Sequence, residues 1–253
     1  MKKVALLIFM MVMALSFAGC QSSSIDTETD AYSNLVINIP WADSEQLSYQ
    51  MEDESGDVIG KIVLTVEKSD EAYILGYDRV TDTTSINGFV AVDKKTLAPI
   101  VSSKIISSES AGATELDCSY EKNRVTVLMP VDAEDGSDDV EATYGSIVIA
   151  VPDVIYDNDE IIFLGRTLPL AEGYYAEIPN FVVTQFSAPV VSFAVTSTET
   201  ITVPAGTFDC YKVRIGGLDE DSIQSVIWLW YGVKGTNPLV KYSVDGGSYI
   251  LTG

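Results

Sequence analysis

Residues 47–77 read LSYQMEDESGDVIGKIVLTVEKSDEAYILGY. Leu47, Tyr49 and Met51 alternate with polar residues, Glu54-Ser55-Gly56-Asp57 supplies a turn, and Ile62, Leu64 and Val66 resume the alternation. A third run, Tyr73-Ile74-Leu75-Gly76-Tyr77, follows at once. Every second side chain of a strand lies on the same face, so this spacing calls for a sheet with one face buried and the other wet. Connections this short join antiparallel neighbours, because a parallel crossover needs a dozen or more residues.

The pattern continues along the chain. Strand candidates lie at 88–92, 98–106, 114–120, 124–129 and 144–151, then at 182–186, 190–196, 208–215, 223–231, 239–244 and 248–252. Their connectors are hairpin-sized and rich in Gly, Asp, Ser and Asn, such as 93–96, 107–112 and 121–123. Residues 132–141 (DAEDGSDDVE) read as an acidic loop. One helix is expected, over 157–164, with Asp157 as its cap and Glu160 placed three residues on as in a capping box. The expected fold is therefore mainly all-β: a large curved antiparallel sheet, half-barrel or open barrel, of roughly 10–13 strands with one short helix. It forms a single β domain over 41–253.

Upstream of that body the chain changes character. Lys2 and Lys3 precede the apolar run 4–15, and Phe17-Ala18-Gly19-Cys20 closes it. A positive start, an apolar middle and a small-residue exit describe a secretory signal over 1–19. The cysteine after the small residues marks a bacterial lipoprotein signal, with Cys20 as the lipidated first residue of the mature chain. Residues 21–34 (QSSSIDTETDAYSN) have little to bury, so 20–40 is the anchor and its flexible tether. The expected location is the extracytoplasmic cell envelope. In a host with two membranes, Gln21 after the anchor resembles the outer-membrane pattern, with the body facing the periplasm.

Composition narrows the chemistry. The 253 residues carry 37 acids against 15 bases, a formal charge of −22, which deepens when Lys2 and Lys3 leave with the signal. Such acidity argues against nucleic acid, whose phosphates demand a positive surface. Histidine is absent, which removes His-assisted nucleophiles and histidine zinc ligands. No cofactor and no metal site is expected. The acidic run 132–141 has its glycine at the wrong place for a calcium loop, and Asp219-Glu220-Asp221 reads as a separator between strands.

Several side chains remain as candidates. Cys118 and Cys210 lie in strand patterns of an exported chain, as a disulfide or as two inert buried thiols. Trp228 and Trp230 share one face of a strand; with Phe186 and Tyr175 they either fill the core or line an apolar pocket. Lys212, Arg214, Lys234 and Lys241 either pair with carboxylates or meet an anionic head group at a pocket rim. An enzyme of this composition would be a carboxylate-based hydrolase, with two acids converging about 5–10 Å apart in a cleft.

Three segments carry a family resemblance: the hairpin 203–213 (VPAGTFDCYKV), the stretch 157–170 ending GRTLPL, and 230–242 with PLVKY. Across about 47–252 the chain resembles the DUF3108 family of exported β proteins of unknown function. That family is similar in architecture to the LolA- and LolB-type periplasmic lipoprotein carriers, whose curved sheet wraps a hydrophobic cavity. The resemblance implies a half-barrel with a lipid or acyl-chain site on its concave face and supplies no catalytic residue. The expected function is a non-enzymatic, membrane-anchored envelope protein with a lipid or other apolar ligand. A structural or protein-interaction module with a solid core is the alternative.

Overall fold

The computed structural model describes residues 35, 38–131, 143–217, 226–244 and 246–253. The leader, Cys20, the tether through residue 34, the acidic loop 132–141 and the cluster 219–221 lie outside the described residues. Among the described residues, fifteen strands form one sheet. In chain order they are β1 (Ser44–Glu52), β2 (Val58–Lys68), β3 (Ala72–Thr81), β4 (Thr84–Asp93), β5 (Pro99–Ser108), β6 (Gly112–Glu121), β7 (Arg124–Val131) and β8 (Thr143–Ala150). There follow the two-residue β9 (Tyr156–Asp157), the helix α1 (Ile161–Leu164), β10 (Tyr175–Phe181), β11 (Val190–Val203), β12 (Gly206–Gly217), β13 (Ile227–Gly232), β14 (Leu239–Val244) and β15 (Gly247–Leu251).

Sequence neighbours pair antiparallel from β1 to β8 and again from β10 to β15, as the short connectors require. Two further contacts complete the order. β15 pairs with β1, joining the two meanders, and β9 pairs in parallel with β10. The sheet is open, with β8 and β9 at its ends. The turn chemistry is visible at residues 203–206, where Val203 pairs with Gly206 around Pro204-Ala205 and Gly206 takes φ +140°, which side chains rarely adopt.

The sheet curls around residues 156–168. Tyr77 on β3 donates to Asp159 at 2.7 Å, while Tyr231 on β13 donates to the Ile162 carbonyl at 3.0 Å. Four strands separate β3 from β13, so a flat sheet would hold them about 24 Å apart. One short segment touches both because the sheet wraps it. Phe163, Leu164 and Leu168 from this plug join Leu64, Val66, Leu75, Phe193, Val213 and Leu229 in the main core. A smaller core at the β6–β7 end holds Leu116, Val125, Val127, Ile155 and Phe181.

Two expectations shift. The helix is one turn, Ile161–Leu164, running into a 3-10 turn at Gly165–Thr167, and Asp157 belongs to β9. Half of the capping box survives: the Asp157 N–H donates to Glu160 Oε1 at 3.1 Å, but the Asp157 carboxylate accepts from the Asp159 N–H at 2.8 Å. Residues 182–186 are not a strand. Val183–Gln185 forms a 3-10 turn that ends on Phe186 at φ 50°. The strand lies earlier, at Tyr175–Phe181, and contains Pro179. Proline lacks an N–H, and β9 pairs with β10 only at Asn180 and Phe181, so Pro179 costs no ladder bond on that side.

Candidate functional site

Strand register sets two adjacent rows of side chains across the concave face. In one, Tyr49, Ile62, Arg79 and Ile86 are successive partners on β1 to β4. In the next, Leu64, Tyr77, Gly88 and Lys104 are partners on β2 to β5. A Cβ on Gly88 would meet the Tyr77 ring and hydroxyl. The missing side chain thus lets Tyr77 lie over β4 and reach Asp159 on the plug. Leu239, Tyr242 and Tyr249 close the far wall, and Asn158, Asp159 and Ile162 form the roof. Between them lies a cleft of about 190 Å³.

Its walls are mainly aliphatic and aromatic, but three charged residues reach it. Lys104 pairs with Asp159 at 2.9 Å, both largely shielded from solvent. Arg79 donates to the Tyr249 hydroxyl at 3.3 Å. Tyr49 donates to the Leu239 carbonyl at 2.7 Å, so its hydroxyl is already spent. Burial raises the Tyr77 and Tyr49 phenols above their ordinary range, and both stay protonated.

Behind the roof sits a buried acid group. Burial and the neighbouring Asp159 push the Asp157 carboxyl up to about 6, and Tyr120 donates to it. Burial and Asp157 raise Glu160 well above the carboxylate range. Its Oε2 has no hydrogen-bond partner among the described residues, which suits a neutral acid. These acids do not make a hydrolase site. Asp157 and Glu160 are only 2% and 1% exposed, and Asp159, which does reach the cleft, is held by Lys104 and Tyr77.

The four expected pocket residues do not come together at this cleft. Tyr175 is 55% exposed and Phe186 ends a surface turn. Trp228 and Trp230 share a face, as their spacing requires; Trp230 is buried in the main core with Trp228 packed against it, while Tyr231 is the residue of β13 that bonds the plug. Both tryptophans also lie beside cations: Lys212 Nζ is 5.0 Å and 5.3 Å from their ring centres, and Lys241 is 5.2 Å from that of Trp230. Lys212 also pairs with Glu199 at 2.9 Å and holds that carboxyl below its usual range. Of the four bases singled out, Lys212 thus pairs with a carboxylate, and none lines the cleft.

Cys118 and Cys210 are not bridged. Both are free and buried, Cys118 in the smaller core and Cys210 in the main one. Arg79 and Lys104 escape a reading by residue type, yet a signal was present. Leu75, Tyr77 and Arg79 lie on one strand face, and a cation there interrupts a core-facing row.

Comparison with known proteins agrees with this architecture. The sequence profile of a family described as protein of unknown function (DUF3108) matches residues 46–248. A solved β-barrel-like protein of domain of unknown function DUF1849 from Brucella abortus superposes with a TM-score of 0.52 at 10% identity, covering 81% of this chain and 94% of that one. A candidate lipoprotein from Parabacteroides distasonis gives 0.32 at 11% identity, over 84% and 95% of the two chains. A candidate exported protein with a YmcC-like fold from Bacteroides fragilis gives 0.28 at 12% identity, over 86% and 98%. Only the first of these bears on the fold. No curated protein matches the chain in sequence.

Proposed function

This chain belongs to the DUF3108 family of proteins of unknown function, and from that premise we propose that it is a lipid-anchored, non-enzymatic protein of the bacterial cell envelope that holds one small apolar or amphipathic molecule in its concave cleft. The observation that carries this reading is the cleft itself. The sheet is curled and plugged, yet about 190 Å³ between the plug and β1–β5 is left unfilled and is lined by Ile62, Leu64, Ile86, Ile162 and Leu239 with four tyrosines. Binding draws on apolar area removed from water, ~25 cal/mol per Å², less the cost of ordering the ligand.

Size limits the occupant. An apolar cavity of about 150 Å³ accommodates benzene, so this cleft suits a single ring or a short chain and is too small for the several acyl chains of a whole lipoprotein. Location follows from Lys2, Lys3, the apolar run and Cys20, which support export and attachment through the lipid rather than through the body. Filling the cleft is the test. Ile86→Trp should abolish uptake of an alkylbenzene probe followed by native mass spectrometry while leaving the melting temperature within a few degrees. Unchanged uptake sinks the ligand reading.

A second reading, an interaction module, draws on the open edge at β8, where Val148 is 63% exposed beside exposed Tyr144 and Ile147. Sedimentation of the full chain against Val148→Lys tests it: self-association removed by the lysine supports an edge contact, and monomers in both cases count against self-pairing.

A further inference from the structure

We propose that the cleft selects a monocarboxylate with a short apolar tail, and that Arg79 and Tyr249 recognise its head; this rests on reading the cleft as a ligand site. The charges that reach the cleft do not cancel. Lys104 and Asp159 neutralise each other at 2.9 Å, and Arg79 is left over. Among the described residues no Asp or Glu forms an ion pair with Arg79. Half-buried, and with no counter-ion among the described residues, Arg79 stands between Ile62 and Ile86 in the row across β2 to β4. A protein with a net charge of −22 had acids in abundance to place there.

The hydrogen bonds locate the head-group end. A guanidinium has five N–H donors, and Arg79 spends one on the Tyr249 hydroxyl. Tyr249 accepts that bond, which leaves its own proton to donate. Tyr77 and Tyr49 have already given theirs to Asp159 and the Leu239 carbonyl. Arg79 and Tyr249 therefore present donors to the same place, and an anion satisfies both. A carboxylate fits best, because its two oxygens match the fork of a guanidinium. The tail lies against Ile62, Leu64, Ile86, Ile162 and Leu239. Scaling from the benzene cavity, about 190 Å³ holds roughly eight carbons.

Calorimetric titration of the full chain at neutral pH with octanoate, octanol, octylamine and octyl phosphate tests this. Octanoate should bind at least tenfold tighter than octanol, and octylamine weakest. In Arg79→Met that preference should vanish, with octanoate weakened at least tenfold and octanol unchanged or tighter. Arg79→Lys, which keeps the charge and loses the fork, should fall between. Equal binding of octanoate and octanol to the unaltered chain overturns the carboxylate assignment while the ligand reading stands, and octyl phosphate binding tighter than octanoate overturns it too. Binding of none of the four overturns both. The comparison among probes on the unaltered chain decides the matter even if a variant fails to fold.

Discussion

Replacing Glu45 with glutamine strips the charge from the partner of a buried arginine and leaves the shape of the site intact. Arg166, in the plug, is 2% exposed, and its guanidinium meets Glu45 on β1 through two bonds of 2.5 Å and 3.1 Å. It also donates to the Thr236 carbonyl at 3.0 Å and the Asn237 carbonyl at 3.2 Å, and lies 5.5 Å from the Trp41 ring centre. These contacts clamp the plug to β1 and to the β13–β14 connection. Removing one member of a buried pair typically costs 3–5 kcal/mol, because the other charge stays behind without a partner. Glu45 keeps 16% exposure, so water softens the loss and about 3 kcal/mol is expected. For a domain of this size that lowers the melting temperature by roughly 6–12 °C.

Urea unfolding of Glu45→Gln, Arg166→Met and the double variant reads the coupling directly. The cost of Glu45→Gln should persist in high salt, since shielded pairs are screened little. A loss of under about 0.5 kcal/mol, as for an exposed pair, would refute the idea that this contact clamps the plug.

Three further outcomes follow from buried groups. Asp157 titrates near 3.8 in an unfolded chain and at about 6 when folded, so the folded state holds the extra proton between those values. Its contribution is full below pH ~4 and is lost as pH rises through 6, by at most about 3 kcal/mol; Asp157→Asn should flatten that fall in stability measured from pH 4 to 7, and an unchanged slope counts against it. Gly165→Ala pushes a methyl into the Tyr231 hydroxyl and the Phe193 ring and should destabilise by about 1–3 kcal/mol in thermal unfolding; a neutral result means the plug sits more loosely. Burial pushes Cys118 and Cys210 up to about 12, so neither should react with iodoacetamide until the chain is unfolded without reductant, and a bridge between them on non-reducing peptide mapping would contradict the two separate cores.

The strands are legible in sequence wherever one face is buried, as in Leu64 and Val66 on β2 or Val125 and Val127 on β7. Alternation fails at β10, where Pro179 breaks the pattern and an edge position tolerates it. It fails again at 182–186, whose β-branched and aromatic residues suit a strand but close a hairpin. Periodicity also fixes which residues share a face without saying which face the sheet curls toward. The spacing of Trp228 and Trp230 thus gives their shared face, and only the fold shows that Trp230 fills the main core with Trp228 packed against it and that neither lines the cleft. The cleft was hidden for a related reason. Its rows draw on β1 to β5, β14, β15 and the plug, and only the register brings Ile62, Arg79 and Tyr249 together.

The most direct test is to weigh the intact chain. Native mass spectrometry of full chain released gently from its producing cells should show one small adduct per chain, absent from Ile86→Trp, and reloading with octanoate should restore a single adduct to the unaltered chain alone. A bare mass that takes up no alkyl probe, in the unaltered chain as in the filled variant, would contradict a ligand in the concave cleft.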